Sequence, residues 1–355
     1  MDAKQKAAQA IRKQKQSLAE IIVEQIYRQR PERWEQLGEE GRQKSIRDVR
    51  YHLSYLSESL AASDPRLFVH YITWVKGVFE KLGFSEDVLH STLKRTQDIL
   101  EQQLPHELAL EANAYVDIGL ARLGEAVSSV EPFIREGAPL VGLANDYLSL
   151  MLEGQRNRAS QRILDAVESG TPVRSIYLHV FQPVQREVGR LWEMNQVSVA
   201  EEHYCTAATQ LIMSQLYPRI FTTKRTGHRL VATCVGGELH EIGVRMVADF
   251  FEMDGWDTYY LGANTPKEDV IKAVEQRGAD LLAISATLPT HVSEVVALIK
   301  DARSSRNGPS VKILVGGYPF NTIPNLWEEV RADGYAKDAQ EAVTIGRRLI
   351  AENER

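Results

Sequence analysis

A short run late in the chain carries the residue types of a metal site. It reads Glu238-Leu-His240-Glu-Ile-Gly243, and 41 residues then separate it from Ser285-Ala-Thr287. A further 28 residues lead to the pair Gly316-Gly317. A neutral imidazole is a good ligand for a transition metal such as cobalt. The other ring N–H of a metal-bound histidine is usually held by a carboxylate, which Glu238 can supply.

The residues at the two fixed spacings suit a close-fitting slot for a ligand. Gly243 has no Cβ, so the backbone there can approach a bound molecule closely, and Gly316-Gly317 can do the same. Ser285 and Thr287 offer hydroxyl groups inside such a slot.

Short apolar runs and amphipathic helices alternate around these residues, which predicts a parallel, doubly wound sheet. Such sheets bind ligands just beyond the carboxyl ends of their strands. His240 follows the first predicted strand, Ser285 and Thr287 end the third, and Gly316-Gly317 ends the fourth, so all three pieces converge on one edge. The predicted strands are 228–235, 257–261, 281–285 and 311–315, with a helix at 241–254.

With both spacings met, this part of the chain resembles the cobalamin-binding domain. In that family the histidine, here His240, replaces the cofactor's own base as the lower ligand to cobalt. The family commonly has an aspartate where this chain has Glu238, one methylene longer, and we expect the hydrogen bond to the histidine to survive. A Rossmann-like domain with a chance histidine in its first loop is the alternative. The resemblance implies cofactor contacts at Glu238, Glu241, Ile242, Gly243, Ser285, Thr287, Leu288, Gly316 and Gly317.

Length and composition place the chain among ordinary globular proteins. Its 355 residues suffice for two or three domains, and 43% are apolar and 25% charged. A net charge of −6 argues against direct nucleic-acid binding. The sequence shows no membrane span and no secretory signal, and the two cysteines, Cys205 and Cys234, indicate no disulfide framework. We therefore expect a cytoplasmic protein.

Three regions follow one another along the chain. Residues 1–125 form a helical sensor or dimerisation domain, and residues 126–222 form a second helical region. A polar linker leads to the α/β domain at 227–355. The predicted fold class is therefore α plus α/β, with a helical first domain for which a globin-like fold is one option, a four-helix-bundle cap, and a flavodoxin-like or Rossmann-like sheet.

The second helical region resembles the four-helix cap that lies over cobalamin in methionine synthase and in cobalamin light sensors. The match is Trp192, nine residues, then Glu202-His203, within LWEMNQVSVAEEHY. In the light-sensing branch this trio lines the upper face, where an adenosyl group is housed, which implies adenosylcobalamin as cofactor. A purely structural role for the three side chains is the alternative. Glu193 stands where some light-sensing repressors carry a histidine that captures cobalt once light has expelled the adenosyl group, so a photoproduct with histidines on both faces would need another donor, such as His203.

The first domain has two predicted helices, 50–56 and 67–75, rich in aromatic residues and carrying two histidines. Taken with the cobalamin region, the chain resembles the photocobilins, which pair cobalamin with biliverdin. No cysteine precedes Cys205, so a bilin here would be held noncovalently. Alternatives are a dimerisation domain whose aromatics are core, or a haem bound through a histidine. The candidate bilin contacts are Arg50, His52, His70 and Trp74.

These observations together predict a cobalamin-dependent photoreceptor that is not an enzyme. Light would break the cobalt–carbon bond and change the conformation or the assembly of a homo-oligomer, such as a dimer, with a downstream effector left unidentified. The alternative is a corrinoid carrier that supplies methyl groups to a methyltransferase. An adenosylcobalamin mutase subunit ranks last, since no substrate barrel is visible.

Overall fold

The computed structural model describes residues 2–29, 31–124, 131–221, 223–306, 308 and 310–353. The chain divides into two compact units, Met1–Ser128 and Ser129–Arg355. The predicted boundaries at 125–126 and at 222 lie outside the described residues, and the division into three domains stays a prediction. Among the described residues, no helix is both long enough and apolar enough to cross a membrane.

Unit 1 is helical. Its core is built from apolar residues that recur every three or four positions, which puts them on one face of each helix. In the first helix these are Ala7, Ile11, Leu18 and Ile22, all buried. Its helices are α1 (Ala3–Gln29), α2 (Pro31–Ala61, kinked at Gly38), α3 (Pro65–Lys81), α4 (Glu86–Gln103) and α5 (His106–Leu123).

Helices α3 and α5 of unit 1 pack closely against each other. Phe68 and Ile72 of α3 are buried, and a Cβ built on Gly119 of α5 would lie 3.0 Å from the Phe68 ring. The absence of a side chain at Gly119 therefore lets the two helices approach closely. The predicted helix at 67–75 lies within α3, where Leu67, Phe68, Tyr71, Ile72 and Val75 are buried.

The first half of unit 2 is a set of helices that precede the sheet. The last of them begins with a capping box, in which Ser198 and Glu201 satisfy each other's backbone N–H groups. A π-helical turn joins two of the helices, and such turns are frequent at functional sites. These elements are α6 (Val141–Leu152), α7 (Arg156–Glu168), α8 (Val173–Ile176), the π turn (Tyr177–Phe181), α9 (Gln182–Glu193) and α10 (Val199–Leu216).

The second half of unit 2 is a five-stranded sheet in which every pair of neighbours is parallel, with the order β2-β1-β3-β4-β5. This is the flavodoxin-like order, and its switch point lies between β1 and β3. The strands are β1 (Arg229–Cys234), β2 (Asp257–Gly262), β3 (Leu281–Ser285), β4 (Lys312–Gly316) and β5 (Gly334–Tyr335).

Helices connect successive strands and bury the apolar faces of the sheet. Residues of β1, β3 and β4 are almost wholly buried, as expected for parallel strands covered on both sides. The helices are α11 (Ile242–Glu252), α12 (Lys267–Arg277), α13 (Val292–Ser304), α14 (Tyr318–Thr322), α15 (Leu326–Glu329) and α16 (Ala339–Asn353). The predicted fold class, helical regions followed by a parallel sheet of Rossmann-like type, is confirmed.

Candidate cofactor site

The carboxyl ends of three neighbouring strands bring the candidate residues to one edge of the sheet. Cys234 at the end of β1 pairs with Ser285 of β3, and Ser285 pairs with Gly316 of β4. The loop after β1 carries Glu238 and His240. Because the strand ends are in register, residues far apart in sequence lie at the same edge, which is where doubly wound sheets bind ligands.

The Glu238 carboxylate is the centre of this edge, and its side chain is 0% exposed. Its Oε1 accepts hydrogen bonds from the backbone N–H of His240 at 3.0 Å and from Nδ1 of His240 at 2.5 Å. Its Oε2 accepts from the backbone N–H groups of Thr287 at 2.7 Å and Leu288 at 3.1 Å, and from Nδ1 of His291 at 3.0 Å. Burial acts to raise the pKa of Glu238, but these hydrogen bonds outweigh it and hold the pKa well below its usual range.

His240 is held by one ring nitrogen and presents the other. An ionised carboxylate can only accept hydrogen bonds, so Nδ1 of His240 carries a proton toward Glu238 and Nε2 keeps the lone pair that a metal needs. The side chain is 51% exposed, so that nitrogen can be reached from outside. The hydrogen bond to Glu238 raises the pKa of His240, burial opposes it, and the charges of Glu238 and Glu202 add to the increase.

The glycines at this edge have two different reasons for being glycine. Gly317 has a φ of 105°, and a Cβ there would lie 2.0 Å from the carbonyl oxygen of Ala286. At Gly316 a Cβ would lie 3.0 Å from the Ala336 oxygen. A Cβ at Gly243 would instead meet no protein atom within 4 Å. Gly317 is therefore required by the backbone itself and Gly316 is tightly packed against it, whereas Gly243 leaves a face open to an external molecule.

The other predicted contacts in this unit have mixed positions. Thr287 and Leu288 meet Glu238 through their backbone N–H groups. Ser285 is half-buried at the end of β3. Ile242 begins α11 and is 9% exposed as part of the apolar core.

Glu241 ties the helical half of unit 2 to the sheet. Its Oε1 accepts from Nε2 of Gln210 in α10 at 2.9 Å. Its Oε2 accepts from the Tyr260 hydroxyl at 2.8 Å and from the backbone N–H of Ala263 at 3.0 Å. Arg245 strengthens the contact by donating to the Gln210 carbonyl at 3.2 Å. The residue next to His240 therefore fixes the position of α10, a role that the sequence pattern did not reveal.

The predicted upper-face trio lies at the end of α9 and the start of α10. Trp192 is 41% exposed. Nδ1 of His203 lies 2.5 Å from Oε2 of Glu202, and the other oxygen of Glu202 accepts from the Thr206 hydroxyl at 3.0 Å. The Glu202 charge is one of the contributions that raise the pKa of His240.

The residues present fit a cobalt corrinoid. A corrin ring supplies most of the ligands of its metal itself, so one protein ligand suffices, and Nε2 of His240 can be that ligand. Among the described residues, no group of three or more His, Cys, Asp or Glu side chains could hold a metal ion. The glycine face at 243 and the indole of Trp192 are suited to a flat macrocycle.

The candidate bilin contacts of unit 1 do not form one exposed set. His52 is 4% exposed, its Nδ1 lies 2.8 Å from the Tyr71 hydroxyl, and burial lowers its pKa to about 4. Burial also lowers the pKa of the half-buried His70. The buried Nε1 of Trp74 has no hydrogen-bond acceptor among the described residues. Arg50 is exposed.

His291 is the site residue that the sequence did not single out. It lies 53 positions from Glu238, and nothing in the run Leu-Pro-Thr-His marks it as functional. The contact arises because the loops after β1 and β3 meet at the switch point of the sheet.

The sheet, its switch point and an exposed His240 held by the buried Glu238 form an α/β domain with a candidate cofactor site at its carboxyl edge. Comparisons with known families indicate which cofactor. The B12 binding domain family matches residues 228–344. A second B12 binding domain family matches residues 143–217. These matches indicate a cobalamin or other corrinoid cofactor, so the cobalamin part of the predicted resemblance is confirmed. The phycobilisome protein family matches residues 2–123.

The relatives that match are corrinoid proteins. A corrinoid protein of Desulfitobacterium hafniense is 25% identical over 193 residues, which are 53% of this chain and 83% of that protein. Dimethylamine corrinoid protein 1 of Methanosarcina acetivorans is 26% identical over 174 residues, 46% of this chain and 78% of that protein. The solved monomethylamine corrinoid protein of Methanosarcina barkeri has a TM-score of 0.54 and 21% identity, covering 59% of this chain and 99% of that one, which shows a shared fold.

The prediction of a photoreceptor is wrong on these findings. The relatives are corrinoid proteins, several of them named for dimethylamine or monomethylamine, and they favour the alternative of a methyl carrier. The predictions of light-driven cobalt–carbon cleavage and of light-dependent assembly are withdrawn together with the photoreceptor prediction. The spacing of Trp192 and Glu202-His203 misled the interpretation, because three side chains at the junction of α9 and α10 do not define what the protein does with its cofactor.

Proposed function

We propose that this chain is a corrinoid protein that carries a methyl group on cobalt for a partner methyltransferase. The observation that carries the proposal is the arrangement of His240, whose Nδ1 is held by the buried Glu238 and whose Nε2 can be reached from outside. The similarity to corrinoid proteins named for methylated amines supports a methylated amine as the original methyl donor.

In this proposal the chain binds and orients, and the partner catalyses. Bound cobalt supplies the centre that accepts and releases the methyl group. Glu238 keeps the proton on Nδ1 of His240, so the lone pair of Nε2 is directed away from the carboxylate. Glu241 holds α10 against the sheet beside the site. The chain is not itself the enzyme, and its partner is a methyltransferase.

Methylation of the loaded protein tests the proposal. The chain is reconstituted with hydroxocobalamin, passed through a desalting column, reduced to the Co(I) state and followed by absorption spectroscopy. One arm adds methyl iodide, and the other adds dimethylamine with a dimethylamine methyltransferase. We expect conversion to protein-bound methylcobalamin in both arms.

The two arms have different meanings. If methyl iodide leaves protein-bound Co(I) unchanged, the chain cannot act as a methyl carrier and the proposal is wrong. If methyl iodide reacts and the amine arm does not, the carrier role stands and the inferred amine class is wrong. The Asp257→Asn variant, at an exposed position at the opposite end of the sheet, serves as a control and should behave like the native chain.

For the upper ligand of cobalt, we propose that adenosylcobalamin is a second form that the site accepts. The exposed indole of Trp192 offers a flat surface on which a nucleoside could stack, and the paired Glu202 and His203 offer it hydrogen bonds. Competition between adenosylcobalamin and methylcobalamin tests this in the dark. Trp192→Ala should lower the preference for the adenosyl form while the corrin still binds, and an unchanged preference contradicts the assignment.

For unit 1, we propose noncovalent binding of a bilin such as biliverdin. The phycobilisome protein match and the unpaired indole N–H of Trp74 among the described residues support it. Co-expression with a source of biliverdin should give a red-absorbing band that survives gel filtration and weakens in Trp74→Phe. Absence of the band from the native chain leaves a dimerisation role, which light scattering of the purified chain tests through its mass.

A further inference from the structure

We propose that His291 is a positioning residue for the lower cobalt ligand, acting on His240 through Glu238. The inference rests on the proposed corrinoid site. The inference is based on the two imidazoles that are hydrogen-bonded to the buried carboxylate of Glu238. Nδ1 of His240 lies 2.5 Å from Oε1, and Nδ1 of His291 lies 3.0 Å from Oε2. The His291 side chain is 15% exposed, so this contact lies mostly out of water.

The direction of the His291 hydrogen bond follows from its neighbours. Oε2 of Glu238 already accepts from the backbone N–H groups of Thr287 and Leu288, which can only donate. A carboxylate surrounded by donors acts as an acceptor on all sides, so His291 donates from Nδ1 as well. Charge-assisted hydrogen bonds of this kind are stronger than neutral ones, and here each carboxylate oxygen has one from an imidazole.

The ring of His291 is held in place from two sides. It ends the 3₁₀ turn Pro289–His291 that leads into α13, and its Nε2 would lie 3.4 Å from a Cβ built on Gly237. The imidazole therefore packs between the Glu238 carboxylate and the backbone of the loop after β1. It links the loops after β1 and β3, two of the segments that carry candidate cofactor residues.

The consequence for His240 is positional. Glu238 has a flexible side chain, one methylene longer than an aspartate, and its orientation decides where the His240 ring points. His291 adds a side-chain donor to Oε2, beside the backbone N–H groups of Thr287 and Leu288, and so helps to hold the carboxylate in the orientation that meets His240. Partners of this outer kind typically change metal affinity by 10- to 100-fold when they are removed.

The test compares His291→Ala with His291→Asn in the full chain loaded with cobalamin and reduced to Co(II). Electron paramagnetic resonance measures the fraction of cobalt that carries a nitrogen ligand from the protein. We expect His291→Ala to shift the equilibrium about tenfold toward cobalt without the histidine. His291→Asn should restore most of the ligand, because the amide Nδ2 stands close to the position of the imidazole Nδ1 and can donate to Oε2.

The outcomes separate this inference from the function on which it rests. If the native chain shows no histidine nitrogen on cobalt, the proposed corrinoid site is wrong. If the native chain shows it and His291→Ala retains it fully, His291 has no positioning role. If both variants lose the histidine ligand of cobalt equally, the donor role is also wrong, because the imidazole ring is then needed for a reason other than its hydrogen bond. His228→Ala, at a histidine that packs on Trp256 away from the site, controls for the loss of any imidazole, and thermal unfolding confirms that each variant folds.

Discussion

Nδ1 of His240 lies 2.5 Å from Oε1 of Glu238, a carboxylate with no solvent exposure that receives hydrogen bonds on both of its oxygens. A buried carboxylate is stable only when it is paired in this way. The same contact orients the histidine that we assign to cobalt. Folding of the loop after β1 and preparation of the site are therefore one event, so substitutions at Glu238 should affect both.

Glu238→Gln is expected to weaken the fold and the site together. The donors from His240, Thr287, Leu288 and His291 converge on two acceptor oxygens, whereas glutamine offers one oxygen and one NH₂ group. We expect a loss of about 1–3 kcal/mol in the free energy of unfolding of the cofactor-free chain. Urea denaturation measures it, with Glu136→Gln at an exposed position as the control. If the variant is as stable as the native chain, the hydrogen bonds accepted by the Glu238 carboxylate do not stabilise the fold.

Two glycine substitutions should have different effects on the stability of the cofactor-free chain. Gly317→Ala puts a Cβ 2.0 Å from the Ala286 oxygen at a φ of 105°, so it should destabilise the cofactor-free chain by about 2–4 kcal/mol. Gly243→Ala meets no protein atom within 4 Å and lies in a helix, so it should leave stability unchanged or raise it by up to about 1 kcal/mol.

The same pair separates the fold from the cofactor. If Gly243 lets the backbone approach the corrin, Gly243→Ala should bind cobalamin more weakly although it is fully stable. Isothermal titration with hydroxocobalamin measures the affinity. Unchanged affinity in this variant would mean that Gly243 is not a contact residue.

Asp249 gives the chain a defined dependence of stability on pH. Burial raises its pKa from 3.8 to about 6, although hydrogen bonding from the Tyr177 hydroxyl and the charge of Arg245 act against the increase. Because the folded pKa is the higher one, ionisation costs the folded state free energy. That cost is absent below the unfolded pKa, grows as the pH rises toward 6, and is complete above it.

Asp249→Asn should remove this cost while its side-chain oxygen still accepts from Tyr177. At pH 7.5, approximately neutral conditions, we expect a gain of about 1–3 kcal/mol in the free energy of unfolding, and at pH 4, near the unfolded pKa, little difference. Denaturation across this pH range measures both values, with Asp257→Asn at an exposed strand position as the control. An equal effect at both pH values would exclude ionisation of Asp249 as the cause.

The sequence predicts the architecture well because parallel strands are continuous apolar runs. The segments 281–285 and 257–261 correspond to β3 and β2 almost residue for residue. Convergence of the loops at one edge follows from topology, so the meeting of Glu238, His240 and Thr287 could be foreseen in outline. The hydrogen bonds that backbone N–H groups donate to Glu238 could not be foreseen, because almost any residue type can donate a backbone hydrogen bond.

Contacts that depend on loop geometry escape the sequence. His291 and Glu241 contact their partners because of how loops and helices are placed relative to one another, and no spacing pattern in the sequence gives that placement. The reason for Gly317 is likewise the position of the Ala286 carbonyl, just beyond the end of the neighbouring strand β3. The functional error had a different source, since the photoreceptor prediction rested on the spacing of Trp192 and Glu202-His203, whereas the relatives that match are corrinoid proteins.

The most direct measurement of the central claim is the electron paramagnetic resonance spectrum of the chain loaded with Co(II) cobalamin, prepared with histidine labelled by ¹⁵N. If Nε2 of His240 binds cobalt, the hyperfine triplet from ordinary nitrogen should become a doublet, and His240→Ala should abolish the effect of the label. A triplet that persists in the labelled protein, or a doublet that survives in His240→Ala, would contradict the assignment of His240 as the lower ligand.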